Sequence, residues 1–439
     1  MKKEILPLKN STLRGEVCPP ADKSIAQRAV IISSIAEGIT KINNFPFSGD
    51  PLSTLNAVQQ LGPKITKQES TKTLIVESQG VNSIQESSEI LNLDNSGTGF
   101  RLLMGLLAGL PNNKFFVLNG DSSLKKRPMK RVAEPLIEMG AQIIGRGNCS
   151  LAPIALSGRS LKGGFIRTKI PSAQLKSAVI LSCLNAENEL ILEEPQASRN
   201  HTEIMLKNFG ANIKYKDNIV ELIPSKLKAR NINIPGDISG AAFLIAAASL
   251  IKDSSIKIKN VGLNSSRTGF LQCLEKMGAK IKINYSGEED DEELIGNIEI
   301  EYSKLKGIEI KGDIIPNVID EIPILALVAA QAEGKTVIKD AKELRVKESD
   351  RLKAIHDLLS ALGIDVQELE DGLIIKGNNG QLFKPKTRNF NAKHDHRIVM
   401  ITAIAGLLSE ESIEIEGAEW ADVSFPCFFE TIEALKVNL

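Results

Sequence analysis

A hydrophobic residue followed by glycine recurs along the 439-residue chain, at Leu61-Gly62, Met139-Gly140, Phe209-Gly210, Met277-Gly278 and Leu362-Gly363. The steps between those glycines are 78, 70, 68 and 85 residues. A period of that size means that one supersecondary unit is used again and again. Each glycine closes an amphipathic segment, where a left-handed cap favours a residue without Cβ. A sixth such segment, 428–436, ends the series without the glycine. A second kind of segment alternates with the first. It is small, apolar nearly all round, and occurs at 24–38, 97–110, 172–187, 239–253, 320–334 and 395–409. Helices of that kind belong inside a core. Alternating apolar and polar runs follow them, at 189–193, 255–259, 336–339 and 412–416, and short runs follow the glycines, at 142–144 and 280–283. These read as half-buried strands.

The chain therefore reads as an α/β protein of six βαβ-like units, three in each half. Its length alone calls for more than one core. The boundary between halves falls at Ile234-Pro235-Gly236-Asp237, with Pro19-Pro20 as the second crossing. The expected lobes are 21–236, and 1–20 with 237–439. Two crossings between two lobes predict a cleft that closes, with the active site inside it. The acidic run 288–293 is expected to be a solvated loop.

Charge narrows the function. Lys plus Arg and Asp plus Glu are both 54, so the net charge is zero and no basic excess points to nucleic acid. Five scattered cysteines without paired spacing argue against a disulfide framework and against zinc. The first residues lack the apolar core of a signal peptide, and no run is apolar enough to span a bilayer. The expectation is a cytoplasmic protein.

Charge instead collects where apolar helices begin. Lys23-Ser24 opens the first, with Arg28 one turn on. Asn95-Ser96-Gly97-Thr98 precedes the second, with Arg101 inside it. Ser172-Ala173-Gln174-Leu175-Lys176 opens the third, Asp320-Glu321 the fifth, and His394-Asp395-His396-Arg397 the sixth. Backbone amides at helix starts attract anions. Two loops add more charge, 125–131 with five cations and 345–351 with alternating signs. In the latter, Lys347 and Arg351 are expected at i,i+4 on one helix face with Glu348 beside them. The H-D-H pair has no third ligand at metal spacing. Asp320 by itself also suits a helix N-cap. The composite reading is a site for a ligand with several negative charges, in which a few carboxylates are tuned for acid–base work.

These residues resemble the EPSP synthase family over the whole chain. The matching stretches are D-K-S…R, N-S-G-T…R, K-R-P-M-K-R, S-A-Q-L-K-S-A, S-R-N-H-T-E, I-D-E-I-P, R-V-K-E-S-D-R and D-H-R, with the S-A-Q-L-K and R-P-M-K-R forms similar to the family's second class. The resemblance implies a two-lobed inside-out α/β barrel of six βαβαββ repeats, closing on shikimate 3-phosphate and then phosphoenolpyruvate. It implies that Lys23, Ser24, Arg28, Ser172, Ala173, Gln174, Arg199, Asp320 and Lys347 bind shikimate 3-phosphate. Lys23, Asn95, Gly97, Arg127, Gln174, Arg351 and Arg397 would hold phosphoenolpyruvate. Asp320 would take the proton of the 5-hydroxyl, Glu348 would exchange protons at the methylene carbon, and Lys23 and Lys347 would complete the catalytic set. No metal or redox cofactor is implied, nor a nucleic acid or membrane partner, and the expected form is a monomer.

Some positions depart from the family pattern. Glu419 stands near where one branch has a lysine, and Glu343 where that branch has an amide. Gly97 stands where some second-class members carry alanine, which implies sensitivity to glyphosate. The related UDP-N-acetylglucosamine enolpyruvyl transferases carry a cysteine in the loop before their own R-P, whereas 121–126 here has none. A non-catalytic anion-binding scaffold is the other alternative, since fold alone does not carry activity.

Overall fold

The computed structural model describes residues 1–111, 113–286 and 293–438. Most of the acidic run, 288–292, lies outside the described residues. The chain folds as two compact units, one containing Met1–Pro20 and most of the chain from Gly236 onward, the other Ala21–Pro235. The crossing segments are pinned by backbone bonds: Asp22 N–H donates to Pro235 O, and Asp237 N–H to Pro20 O.

Six apolar helices form the centres of the units. Lys23–Ser33, Gly97–Ala108 and Ala173–Ser182 lie in one, and Ile238–Leu250, Ile322–Gln331 and His396–Leu407 in the other. Each is shorter than its apolar stretch, because the last residues already turn toward the following strand. Nearly every residue of these helices is buried, as expected for segments with no polar face. The six amphipathic helices are Gly49–Gln59, Lys130–Glu138, His201–Asn208, Gly269–Met277, Arg351–Ala361 and Phe428–Leu435. Behind five of them, Gly62, Gly140, Gly210, Gly278 and Gly363 adopt φ of 102°, 101°, 86°, 98° and 85°. The recurrent glycine is a left-handed cap at every position where it occurs.

Five repeats share one sheet order. In the second, Leu91–Asn92 runs parallel to Phe115–Asn119, which pairs antiparallel with Leu151–Ser157, which pairs with Gln142–Gly145. The sixth repeat differs. Its third strand is Lys2–Ile5 from the chain start, antiparallel to Ile413–Glu416, and the strand after the last helix, Lys436–Asn438, joins Ser11–Val17 of another sheet.

Within the 21–235 unit, two central helices touch backbone to backbone. A Cβ on Gly105 would lie 2.2 Å from Ala178 O, and one on Gly109 2.1 Å from Ser182 O. These glycines, one turn apart, let Gly97–Ala108 lie directly on Ala173–Ser182. Gly105→Ala gains helix propensity yet forces the helices apart, and is expected to lower stability by about 1–3 kcal/mol. Urea unfolding of the purified variant checks this. Among the described residues, no helix is long and apolar enough to cross a membrane.

Candidate active site

The helix starts carry the polar groups, and within each unit these are knitted together. In the 21–235 unit, Asp22 caps the first helix by accepting from Ser24 N and Ile25 N, both at 2.8 Å. Buried Gln27 reaches the second helix, its Oε1 accepting from Ser96 Oγ at 2.6 Å and Gly99 N at 2.9 Å. Arg28, also buried, donates to Ser24 Oγ (2.6 Å), Ser177 Oγ (3.2 Å) and Thr202 Oγ1 (2.8 Å). The third helix is capped by Ser172, and its Gln174 joins the second: Arg101 donates to Gln174 Oε1 at 2.6 Å, and Gln174 Nε2 to Thr98 Oγ1 at 2.9 Å. Ala173 is the first residue of that helix. Three helix starts and their positive dipole ends are thereby held in one cluster.

The flanking cations are held too. Lys23 Nζ lies 3.1 Å from Asp50. Asn95 donates to Asp121 at 2.7 Å and accepts from Arg127. A Cβ on Gly97 would stand 3.2 Å from Nη1 of both Arg101 and Arg127, so the glycine leaves room between two guanidinium groups. Arg199 sits just before the His201–Asn208 helix, half-buried.

The second unit gathers the remaining residues around one guanidinium. Arg351, buried at the first position of its helix, donates from Nε to Asp395 Oδ2 at 2.8 Å and from Nη2 to Glu348 Oε2 at 2.6 Å. Its Nη1 lies 3.8 Å from Asp320 Oδ1, and Lys347 Nζ lies 3.9 Å from the same oxygen. Burial alone would lower the Arg351 pKa, but Asp395, Glu348 and Asp320 together raise it above the ordinary value. Burial pushes the Asp395 carboxyl up, and the opposing pull of Arg351 and His396 brings it below the usual range. Asp395 caps the His396–Leu407 helix through Arg397 N at 3.0 Å, so one carboxylate orients both Arg351 and the helix start bearing Arg397.

The spacing K-x-x-x-R does not lie on one helix. Lys342–Val346 is a short 3-10 turn, Lys347 is extended, and the helix starts only at Arg351 with Asp350 accepting from Lys353 N at 3.1 Å. An aspartate three residues before a helical amide is the stronger signal, and it breaks the chain between Lys347 and Arg351. The break lets Glu348 fold back onto Arg351. Glu343, whose role the sequence leaves open, pairs with Lys347 at 3.3 Å. Asp320 is not an N-cap, because Glu321 occupies that position. Glu419 pairs with the Met1 amino group at 2.7 Å. His394 packs edge-on against Trp420, with ring centroids 5.0 Å apart.

Glu321 was not expected to matter. It is fully buried, accepts from Ser239 Oγ, and lies 3.9 Å from Arg397 Nη1. Ser239 also accepts from Arg267 Nη2 at 2.6 Å, and Arg267 reaches Asp237 at 3.1 Å. Glu321 thus ties the starts of all three central helices of this unit. Only its place beside Asp320 hinted at this.

The profile of EPSP synthase (3-phosphoshikimate 1-carboxyvinyltransferase) matches residues 8–432. The chain belongs to the EPSP synthase family. It is similar to the 3-phosphoshikimate 1-carboxyvinyltransferase of Thermodesulfovibrio yellowstonii, 48% identical over 98% of both chains. It is also similar to that of Bacillus subtilis, 44% identical over 98% of both. The solved EPSP synthase of Acinetobacter baumannii superposes with a TM-score of 0.88 at 37% identity, covering 99% of this chain and 98% of that one. An EPSP synthase family member has the two-domain α/β fold built here from six repeats.

Proposed function

We propose that this chain transfers the enolpyruvyl group of phosphoenolpyruvate to the 5-hydroxyl of shikimate 3-phosphate, a step toward chorismate and the aromatic amino acids. The observation that carries the residue assignment is the grouping of two carboxylates, Asp320 and Glu348, on the Arg351 guanidinium beside Lys347. Acid–base chemistry at two different atoms needs two carboxylates whose charge is tuned by shared cations.

In this reading Lys23, Ser24, Arg28, Ser172, Ala173, Gln174, Arg199, Asp320 and Lys347 receive shikimate 3-phosphate. Asn95, Gly97, Arg127, Arg351 and Arg397, with Lys23 and Gln174, receive phosphoenolpyruvate. A proton given by Glu348 to the methylene carbon makes C2 electron-poor. The 5-hydroxyl oxygen then bonds to C2 and gives its proton to Asp320, forming a tetrahedral ketal phosphate. Glu348 takes a proton back from the new methyl group as the C2–O bond to phosphate breaks and the proton held by Asp320 passes to the departing phosphate, leaving the enol ether and inorganic phosphate. Lys23 and Lys347 offset the charge that builds up on the phosphate and carboxylate oxygens. Holding both substrates converts a bimolecular encounter into an effectively unimolecular one.

Phosphate release from phosphoenolpyruvate tests the acceptor. Release with shikimate 3-phosphate is expected, and release with UDP-N-acetylglucosamine in its place would overturn the assignment. Phosphorylated substrates support a cytoplasmic setting.

The Gly97 environment gives a further expectation. A methyl group between Arg101 and Arg127 takes space from any ligand larger than phosphoenolpyruvate. Glyphosate should therefore compete with phosphoenolpyruvate in the wild type, and Gly97→Ala should weaken that inhibition by about tenfold or more, with a smaller rise in the KM of phosphoenolpyruvate. Initial rates at varied phosphoenolpyruvate measure both.

A further inference from the structure

Behind the first helix cluster lies a buried ion triad that the reaction does not use directly. Lys176, in the second turn of Ala173–Ser182, places Nζ 2.9 Å from Glu194, 2.8 Å from Glu203 and 3.0 Å from the carbonyl oxygen of Ser198. The side chains of Lys176, Glu194 and Glu203 are 4%, 1% and 1% exposed. Burial pushes the Glu203 carboxyl up against the opposing pull of Lys176. An ion cluster so dry is a poor source of stability, since apolar side chains of the same volume would serve as well or better. Its value lies in direction.

The three residues come from three segments, and each segment carries or contacts a group assigned above to shikimate 3-phosphate. Glu194 accepts from Ser172 N and Ser198 N, both at 3.2 Å, and from Ser198 Oγ at 2.7 Å. It therefore fixes the backbone of Ser172 and the residue next to Arg199. Glu203 lies one residue after Thr202, which accepts from Arg28 at 2.8 Å and shares a 2.6 Å hydroxyl contact with Ser177. The Lys176 ammonium thus joins the start of the Ser172 helix, the residue beside Arg199 and the helix whose Thr202 holds Arg28.

We propose that the buried Lys176–Glu194–Glu203 triad is a positioning device that sets the spacing of Ser172, Arg199 and Arg28 and so the affinity for the acceptor phosphate sugar. This rests on the shikimate 3-phosphate assignment above. Lys176→Met fills the volume without the charge and releases the three segments. The KM for shikimate 3-phosphate should rise about tenfold or more, because displacements of about 1 Å in positioning groups cost up to about 10²-fold. The KM for phosphoenolpyruvate and kcat at saturating acceptor should change by less than about threefold, because Gln174, the one phosphoenolpyruvate group on this helix, is held separately by Arg101 and Thr98. Glu194→Gln, which keeps size and one acceptor oxygen, should show the same split more weakly, and it decides the matter if Lys176→Met does not fold. Arg199→Ala is the companion measurement. A raised acceptor KM in Arg199→Ala with wild-type KM values in folded Lys176→Met or Glu194→Gln would overturn the positioning role alone. An unchanged acceptor KM in Arg199→Ala would instead remove the subsite assignment beneath it. A fall in thermal midpoint with both KM values intact would mean that the triad is purely structural, and would also overturn the proposal.

Discussion

Asp320→Asn and Glu348→Gln are each expected to lower turnover by about 10²–10⁴-fold, the usual worth of a general acid or base, while shikimate 3-phosphate still binds. The physical ground is the charge balance. Asp320 lies 3.8 Å from Arg351 and 3.9 Å from Lys347, and neutralising it leaves those cations with less compensation. A dianionic phosphate ester should then bind as well as before or better. Calorimetric titration of shikimate 3-phosphate measures the binding, and single-turnover phosphate release measures the chemistry. The two variants should part company in a third measurement. Glu348→Gln should lose solvent deuterium incorporation at the methylene carbon of phosphoenolpyruvate, since that exchange needs its carboxylate. Turnover within about twofold of wild type in either variant would withdraw that residue's role.

Arg351→Met should be more damaging, because it affects both stability and binding. Removing the guanidinium strands buried Asp395 and leaves Glu348 without its 2.6 Å partner. Breaking one side of a buried pair costs about 3–5 kcal/mol. Arg351→Lys should rescue little, since one ammonium cannot meet Asp395 through Nε and Glu348 through Nη2 at once. The pH dependence has a definite sign. In the wild type the Asp395 carboxyl is depressed, so its contribution is present above the ordinary carboxylate range and is lost as pH falls through its lowered folded value. In Arg351→Met the largest counter-charge is gone and burial drives the same carboxyl up. Acidification then protonates Asp395 and relieves the stranded charge. The stability gap between wild type and variant should be widest near neutrality and narrow on acidification. Urea unfolding at several pH values checks this, and a gap that widens toward acid would reject Asp395 as the cause.

Much of this molecule is legible in its amino-acid sequence. Apolar segments near 97–108 and 396–407 have no polar face to offer water, so they had to lie inside. The glycine after five of the six amphipathic segments marked a left-handed φ, and the strands between followed from alternation. Local rules govern these features, and local rules can be read along a chain. The charged residues at helix starts were visible for the same reason.

Other features depended on residues far apart in sequence. Gly105 and Gly109 look like weak points in a helix until the backbone of Ala178 and Ser182 lies against them. Lys176 reads as one more cation at a helix start until Glu194 and Glu203 close over it. The i,i+4 spacing of Lys347 and Arg351 suggested a shared helix face, but the Asp350 cap breaks the helix and Glu348 folds back to Arg351. Glu321 meets Ser239 across 82 residues of chain. By itself the sequence determined the repeat, the buried helices, the glycine caps of the amphipathic ones and which residue types stand at the helix starts, because each follows from a local pattern. Only the tertiary structure decided which carboxylate answers which cation, because a buried charge is settled by whatever the fold brings within about 4 Å of it, not by what precedes it in the chain.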